Sequence, residues 1–199
     1  GEWKEEIVHE SVKDGIVNRE PYVSAWVRGE EIRVYCKYSV KDGLRKAPGL
    51  LNVHGWMGAP AIDKSYVDEG WAVMAFDYCG ESGKRVHFTK YPKVLDHGNM
   101  DKKFGSSVWS KTRDGQFITD PKQTSDYLWY ALQRRVLSYL LKQREVDGSR
   151  IGAKGYSYGG TIMWNLGMDP RVQAVVAYFG IGWIEYYRNK RVWMYNQPY

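Results

Sequence analysis

Cysteine and histidine are scarce in this chain. The two cysteines, Cys36 and Cys79, are far apart and show no metal-ligand spacing. That excludes a disulfide framework and a cysteine-based metal site, and their apolar, strand-like surroundings predict free buried thiols. The four histidines are His9, His54, His87 and His97, so none follows position 97. No apolar run reaches the roughly 18 residues that a membrane helix needs, and no membrane association is expected. The opening Gly1-Glu2-Trp3-Lys4-Glu5-Glu6 lacks a basic segment leading into an apolar one, so no signal peptide is read there. The compartment stays open, with a secreted or periplasmic location preferred. The 29 basic residues exceed the 23 acidic ones by six, yet they form no basic block and no nucleic-acid-binding module. A nucleic-acid partner is therefore not expected.

What the 199 residues do contain is enough apolar surface for one domain, 43% hydrophobic and 15% aromatic, with 9 Trp and 16 Tyr. Such rings fill cores and also line sugar-binding clefts. The strands Tyr22–Val27 and Glu31–Tyr38 alternate like an antiparallel hairpin around Arg28-Gly29-Glu30. Two continuous apolar runs, 49–53 and 71–76, flank a short helical stretch over 61–68 and read as buried parallel strands. From Gly80 to about Gln123 all periodicity is lost, which predicts a functional, lid-like insertion. A helix then starts at Thr124 or Ser125, carries a Leu128, Leu132, Val136, Leu140 stripe joined by Tyr139, and stops at Asp147-Gly148. A short strand over 150–154, a helix over 159–166 and a strand over 172–178 follow. Residues 182–199 give no clear pattern. The expected fold class is α/β, mostly parallel, in a single domain spanning 1–199.

The informative motif is Gly155-Tyr156-Ser157-Tyr158-Gly159, followed by Gly160. A bare Gly-x-Ser-x-Gly arises easily by chance, but this one joins a short strand to a helix, the setting a nucleophile elbow requires. A serine at that turn sits on a strained backbone, and its small neighbours Gly155 and Gly159 let strand and helix approach closely. The helix N-terminus then presents N–H groups and a positive dipole end to a developing oxyanion. The alternative is a glycine-rich turn carrying an inert serine. His54-Gly55-Trp56 ends the earlier buried strand, and His54 is read as a structural histidine bonding loop backbone.

The series His54-Gly55-Trp56, Phe76-Asp77-Tyr78-Cys79-Gly80-Glu81-Ser82-Gly83, the elbow, and Asp169-Pro170-Arg171-Val172 resembles the α/β-hydrolase superfamily. Within it, residues 20–180 resemble the acetyl xylan esterase and dienelactone hydrolase-like group. The resemblance implies an α/β-hydrolase fold and two-step acyl transfer, with Ser157 attacking an ester carbonyl and water releasing the acyl-enzyme. It assigns the oxyanion hole to the backbone N–H groups of Trp56 and Tyr158. It implies no cofactor and no metal, and an ester of a small molecule or polysaccharide as substrate, acetylated carbohydrate above all. The Gly-Tyr-Ser-Tyr-Gly-Gly string is also similar to prolyl oligopeptidase-type peptidases, and a non-catalytic carbohydrate-binding relative is a further alternative.

One departure from the family is large. Triad partners in this fold follow the nucleophile as Asp or Glu and then His, but only Asp169, Glu185 and no histidine follow Ser157. Asp169 stands in the loop before the next strand, where the triad acid does not belong. The last strands of the fold are also missing. Three readings follow: a second segment supplies the Asp and His, the chain is a non-catalytic relative, or His87 or His97 serves as base in a rearranged site. Other features carry less. Gly80–Arg85 only resembles a phosphate loop, and His87, Asp96, His97 and Asp101 match no metal spacing. Asp77 is expected to tie down the loop that follows it. Tyr91 and Trp109 are candidates for sugar contact, with core packing or loop anchoring as the alternative.

Overall fold

The computed structural model describes residues 4–81, 85–92, 95 and 125–180. Much of the expected insertion at 80–123, including Asp96, His97, Asp101 and Trp109, lies outside the described residues, as do Glu185 and the rest of 181–199.

Seven strands, β1 (Glu5–Lys13), β2 (Ile16–Val27), β3 (Glu30–Lys41), β4 (Ala47–Val53), β5 (Ala72–Phe76), β6 (Val146–Tyr156) and β7 (Ala174–Tyr178), form one sheet. Its order is β1-β2-β3-β5-β4-β6-β7. The expected hairpin is a three-stranded antiparallel meander, with β3 also antiparallel to β5. The block β5-β4-β6-β7 is parallel throughout. The sheet is thus mixed, with parallel pairing confined to the half that the buried apolar runs predicted.

Both faces of β4 and β5 are covered, which is why these two strands read as unbroken apolar runs. On one face, α1 (Lys64–Asp68) buries Val67 against Leu50 and Val73. On the other lie α2 (Ser125–Leu140) and α3 (Tyr158–Leu166). There Leu128, Leu132, Val136 and Leu140 pack with Leu51, Val53, Met74 and Phe76, the alternate residues of the same strands. Cys36 and Cys79 are both free and buried, as expected. No helix among the described residues is long and apolar enough to cross a membrane.

Asp147-Gly148 does not end the helix. Helix α2 stops at Leu140, and its last turn tightens through Lys142 N–H to Tyr139 C=O at 3.1 Å and Gln143 N–H to Leu140 C=O at 3.1 Å. Strand β6 begins at Val146, and Asp147-Gly148 opens a bulge within it. Asp147 pairs with Pro48, and the next paired residue, Ile151, sits opposite Gly49. The Asp147 carboxylate caps the bulge by accepting from Ser149 N–H at 3.0 Å. The turn signal is therefore genuine, but it acts inside a strand.

Candidate active site

Strand β6 ends at Tyr156 and α3 begins at Tyr158, so Ser157 alone makes the turn. Its backbone sits at φ 55° and ψ −119°, a conformation that costs a non-glycine residue about 1–3 kcal/mol. It is held by Ser157 N–H donating to Tyr178 C=O at 2.8 Å and by Thr161 N–H donating to Ser157 C=O at 3.1 Å. The residue is exposed at the C-terminal end of the parallel strands, the rim where open α/β sheets bind ligands.

The flanking glycines explain how strand and helix come so close. A Cβ on Gly155 would lie 2.1 Å from Gly159 C=O. One on Gly159 would lie 2.4 Å from His54 C=O and 2.5 Å from Val53 C=O. The start of α3 is thus seated directly on the end of β4. The same seating brings the loop after β4 to the serine, since a Cβ on Gly55 would lie 3.9 Å from Ser157 Oγ. Trp56 follows in a turn closed by Gly58 N–H to Gly55 C=O at 3.0 Å, and Tyr158 is the first residue of α3. Ser157, Trp56, Tyr158, Gly155 and Gly159 therefore share one end of the sheet.

A cluster of rings underlies these residues. Tyr78, fully buried at the end of β5, stacks on His54 at 4.6 Å between centroids and donates its hydroxyl to His54 C=O at 3.1 Å. Trp129 from α2 meets Tyr158 edge-on at 5.2 Å and Trp56 at 5.6 Å. Tyr91 donates its hydroxyl to Tyr78 C=O at 2.6 Å, which makes it a loop anchor in this structure. Reading the sequence missed Trp129 and Tyr78. Trp129 lies in an apolar stretch where only core packing is signalled, Tyr78 lies in a motif quoted for its resemblance alone, and their shared environment comes from the tertiary fold.

His54 is structural in its bonding: Nδ1 donates to Gly55 C=O at 2.7 Å, and Nε2 lies 3.6 Å from Asp77 Oδ1. Asp77 is fully buried and ties down the loop that follows it, as expected. It accepts from Cys79 N–H at 3.1 Å and Thr89 N–H at 2.7 Å, while Thr89 Oγ1 accepts from Tyr35 N–H at 3.0 Å. Ligand atoms of His54, Asp77 and Cys79 lie within 4.8 Å of one another, a donor set of metal-binding type. Two features oppose a cation there. The Arg85 guanidinium already sits 3.4 Å from Asp77 Oδ1, and burial pushes the Cys79 thiol up to about 12, so it carries its proton at neutral pH. We assign no metal to it.

Among the described residues no histidine ring hydrogen-bonds Ser157: the His54 ring is engaged by Gly55 C=O and Asp77. His87 is stacked on Tyr35 at 5.6 Å and lies 3.4 Å from the Tyr22 hydroxyl. It thus belongs to the β2–β3 meander, three strand positions and on the order of 14 Å from β6. His9 is exposed on the edge strand β1. Asp169 precedes β7, at the opposite end of that strand from Ser157, and is clamped by Arg171 at 2.8 and 2.7 Å. Beyond β7, no described strand pairs with its outer edge, and Ala174–Tyr178 are exposed throughout.

Comparison with known proteins gives this arrangement a context. The model of the dienelactone hydrolase family matches residues 32–192. Acetyl xylan esterase from Paenibacillus sp. R4 is 21% identical with a TM-score of 0.63, over 88% of this chain and 52% of that one. Acetyl xylan esterase 1 from Thermoanaerobacterium sp. JW/SL YS485 is 22% identical with a TM-score of 0.63, over 89% and 52%. A glucuronoyl esterase from Solibacter usitatus is 12% identical with a TM-score of 0.54, over 88% and 51%. These likenesses establish an α/β-hydrolase fold, and the chain spans about half the length of the structures it resembles. A search of curated proteins finds none that matches the chain.

Proposed function

The chain belongs to the dienelactone hydrolase family, and from that premise we propose that it is the nucleophile-bearing part of a serine-dependent carboxylic ester hydrolase. Ser157 Oγ attacks the ester carbonyl carbon and forms a tetrahedral oxyanion. The backbone N–H groups of Trp56 and Tyr158 receive that charge, beside the positive end of α3. Collapse breaks the bond to the alcohol, which departs with the proton that a general base took from the Ser157 hydroxyl, and water then hydrolyses the acyl-Ser157. The observation that carries this reading is the strained, exposed Ser157 held between β6 and α3, with the His54–Trp56 loop seated against it.

The base and acid come from a second segment. Three observations support this: no histidine follows position 97, Asp169 is engaged by Arg171 away from the serine, and the outer edge of β7 has no described partner. We take acetyl groups on carbohydrate as the substrate, by analogy with the two acetyl xylan esterases of like fold. The scarcity of histidine also favours a second reading, in which the chain is a carbohydrate-binding relative that does not turn over.

Labelling with a fluorophosphonate decides between them. The chain, alone and joined to any sequence that continues it, is exposed to the probe and weighed intact. One adduct on Ser157, absent from Ser157→Ala, is the expected result, with acetate release from acetylated xylan lost in the same variant by at least about a thousandfold. If neither form takes the label while sugar binding persists, the binding reading replaces the esterase.

A further inference from the structure

Trp129 belongs to α2, far from the elbow in sequence, yet its fully buried ring lies against both residues to which the oxyanion hole was assigned. It meets Tyr158 edge-on, with centroids 5.2 Å apart and planes at 87°. It meets Trp56 at 5.6 Å and 49°, and Trp56 and Tyr158 meet each other at 6.1 Å. Tyr78 closes the group, 5.4 Å from Trp129 and 6.2 Å from Tyr158.

This packing bears on the geometry of the backbone. The turn that carries Trp56 is closed by Gly58 N–H to Gly55 C=O at 3.0 Å and by His54 Nδ1 to Gly55 C=O at 2.7 Å. Met57 is 67% exposed at φ 61°, and Gly55 and Gly58 have no side chains. Within the turn Trp56 supplies the side chain that packs inward, and its ring rests on Trp129. Tyr158 is the first residue of α3, and its ring lies against those of Trp129 and Tyr78. Oxyanion stabilisation depends on donors 2.7–3.1 Å from the developing charge, and a displacement of about 1 Å costs roughly a hundredfold.

We propose that Trp129 is a positioning residue for the oxyanion hole, one ring that aligns the Trp56 and Tyr158 amides on the same carbonyl oxygen. The inference rests on the esterase reading and deepens it. It also gives α2 a role in that site besides covering the sheet.

The test compares Trp129→Leu and Trp129→Phe with the wild type, each joined to the sequence that continues it, with sites counted by fluorophosphonate labelling and kcat and KM for an activated acetyl ester expressed per labelled site. Trp129→Leu is expected to lose about 10- to 100-fold in kcat with KM within about twofold, because the hole acts on the transition state and little on the bound ester. Trp129→Phe keeps an aromatic edge toward Tyr158 and is expected to recover most of the loss. Should Trp129→Leu fail to fold, Trp129→Met, whose flexible side chain adapts to an irregular gap, takes its place. A kcat per labelled site equal to wild type in the aliphatic variant overturns the proposal, as does a Phe variant as impaired as the Leu one. A wild type that takes no label overturns the esterase reading itself, and the proposal falls with it.

Discussion

In the meander of β1–β3, the strands are tied together by side chains, across β2 in one case. Arg19 reaches Glu10 at 2.8 Å, Arg33 reaches Glu6 at 2.6 Å, and Lys37 reaches Glu20 at 3.6 Å. The turns that join them, Asp14-Gly15 and Arg28-Gly29, take positive φ in open space, where a side chain would meet nothing. Around α3, backbone meets backbone instead. Gly155, Gly159 and Gly160 each stand where one added carbon would lie 2.1–2.5 Å from a carbonyl oxygen. Side-chain ties can be lost singly, because each is replaceable by water or by a neighbour. A backbone seat cannot be partly lost. The strained Ser157 lies in the second region, which fits the rule that strain persists only where the surroundings over-determine it.

The sharpest test of this contrast sets one glycine against another. In Gly159→Ala the new carbon is driven into His54 and Val53 carbonyls, and the start of α3 must lift off β4. A stability loss above about 3 kcal/mol is expected by urea denaturation. Gly29→Ala in the meander meets only the penalty of φ 82° in open space, about 1 kcal/mol. Equal losses would break the comparison, since they would mean that the seat under α3 yields as readily as a surface turn.

An ion pair in the parallel half gives a smaller effect with a pH signature. Asp169 accepts from Arg171 Nε at 2.8 Å, Nη2 at 2.7 Å and N–H at 3.1 Å, and these bonds hold its carboxyl below the usual carboxylate range. Because the folded state has the lowered value, the stabilisation is present above the unfolded pKa of about 3.9 and fades as the pH falls through the folded one. Asp169→Asn should therefore cost about 1–2 kcal/mol at neutral pH and progressively less below about pH 4. A gap between variant and wild type that stays constant across that range would show that Asp169 acts through shape and not through charge.

The same contrast governs what could be read from the sequence. Strands β4 and β5 were legible because they are covered on both faces and so appear as unbroken apolar runs, as at Ala72–Phe76, where all five residues are buried. The Leu128–Leu140 stripe of α2 was legible for a related reason, one face turned to the core. The elbow was legible because only small residues tolerate its close approaches. Strand β1 was missed: Glu5–Lys13 is exposed along most of its length, so it carries no period, and only pairing with β2 makes it a strand. The ring cluster was missed because Trp56, Tyr78, Trp129 and Tyr158 come from four separate segments, and nothing local says that they meet.

The meander supplies the smallest expected effect. Glu6 is 64% exposed and its partner Arg33 is 24% exposed, so their 2.6 Å contact lies largely in water, where an ion pair is worth about 0–1 kcal/mol. Arg33 also keeps other partners when Glu6 is neutralised. It donates to Ser24 Oγ at 3.0 Å, and its guanidinium lies 5.8 Å over the Tyr22 ring. Glu6→Gln should therefore lower the stability measured by urea denaturation by less than about 0.5 kcal/mol, and raising the salt concentration should close even that gap, because exposed pairs are screened. A loss as large as that of Asp169→Asn, unaffected by salt, would show that β1 is held by this single contact. The picture of a meander with interchangeable ties would then have to be abandoned.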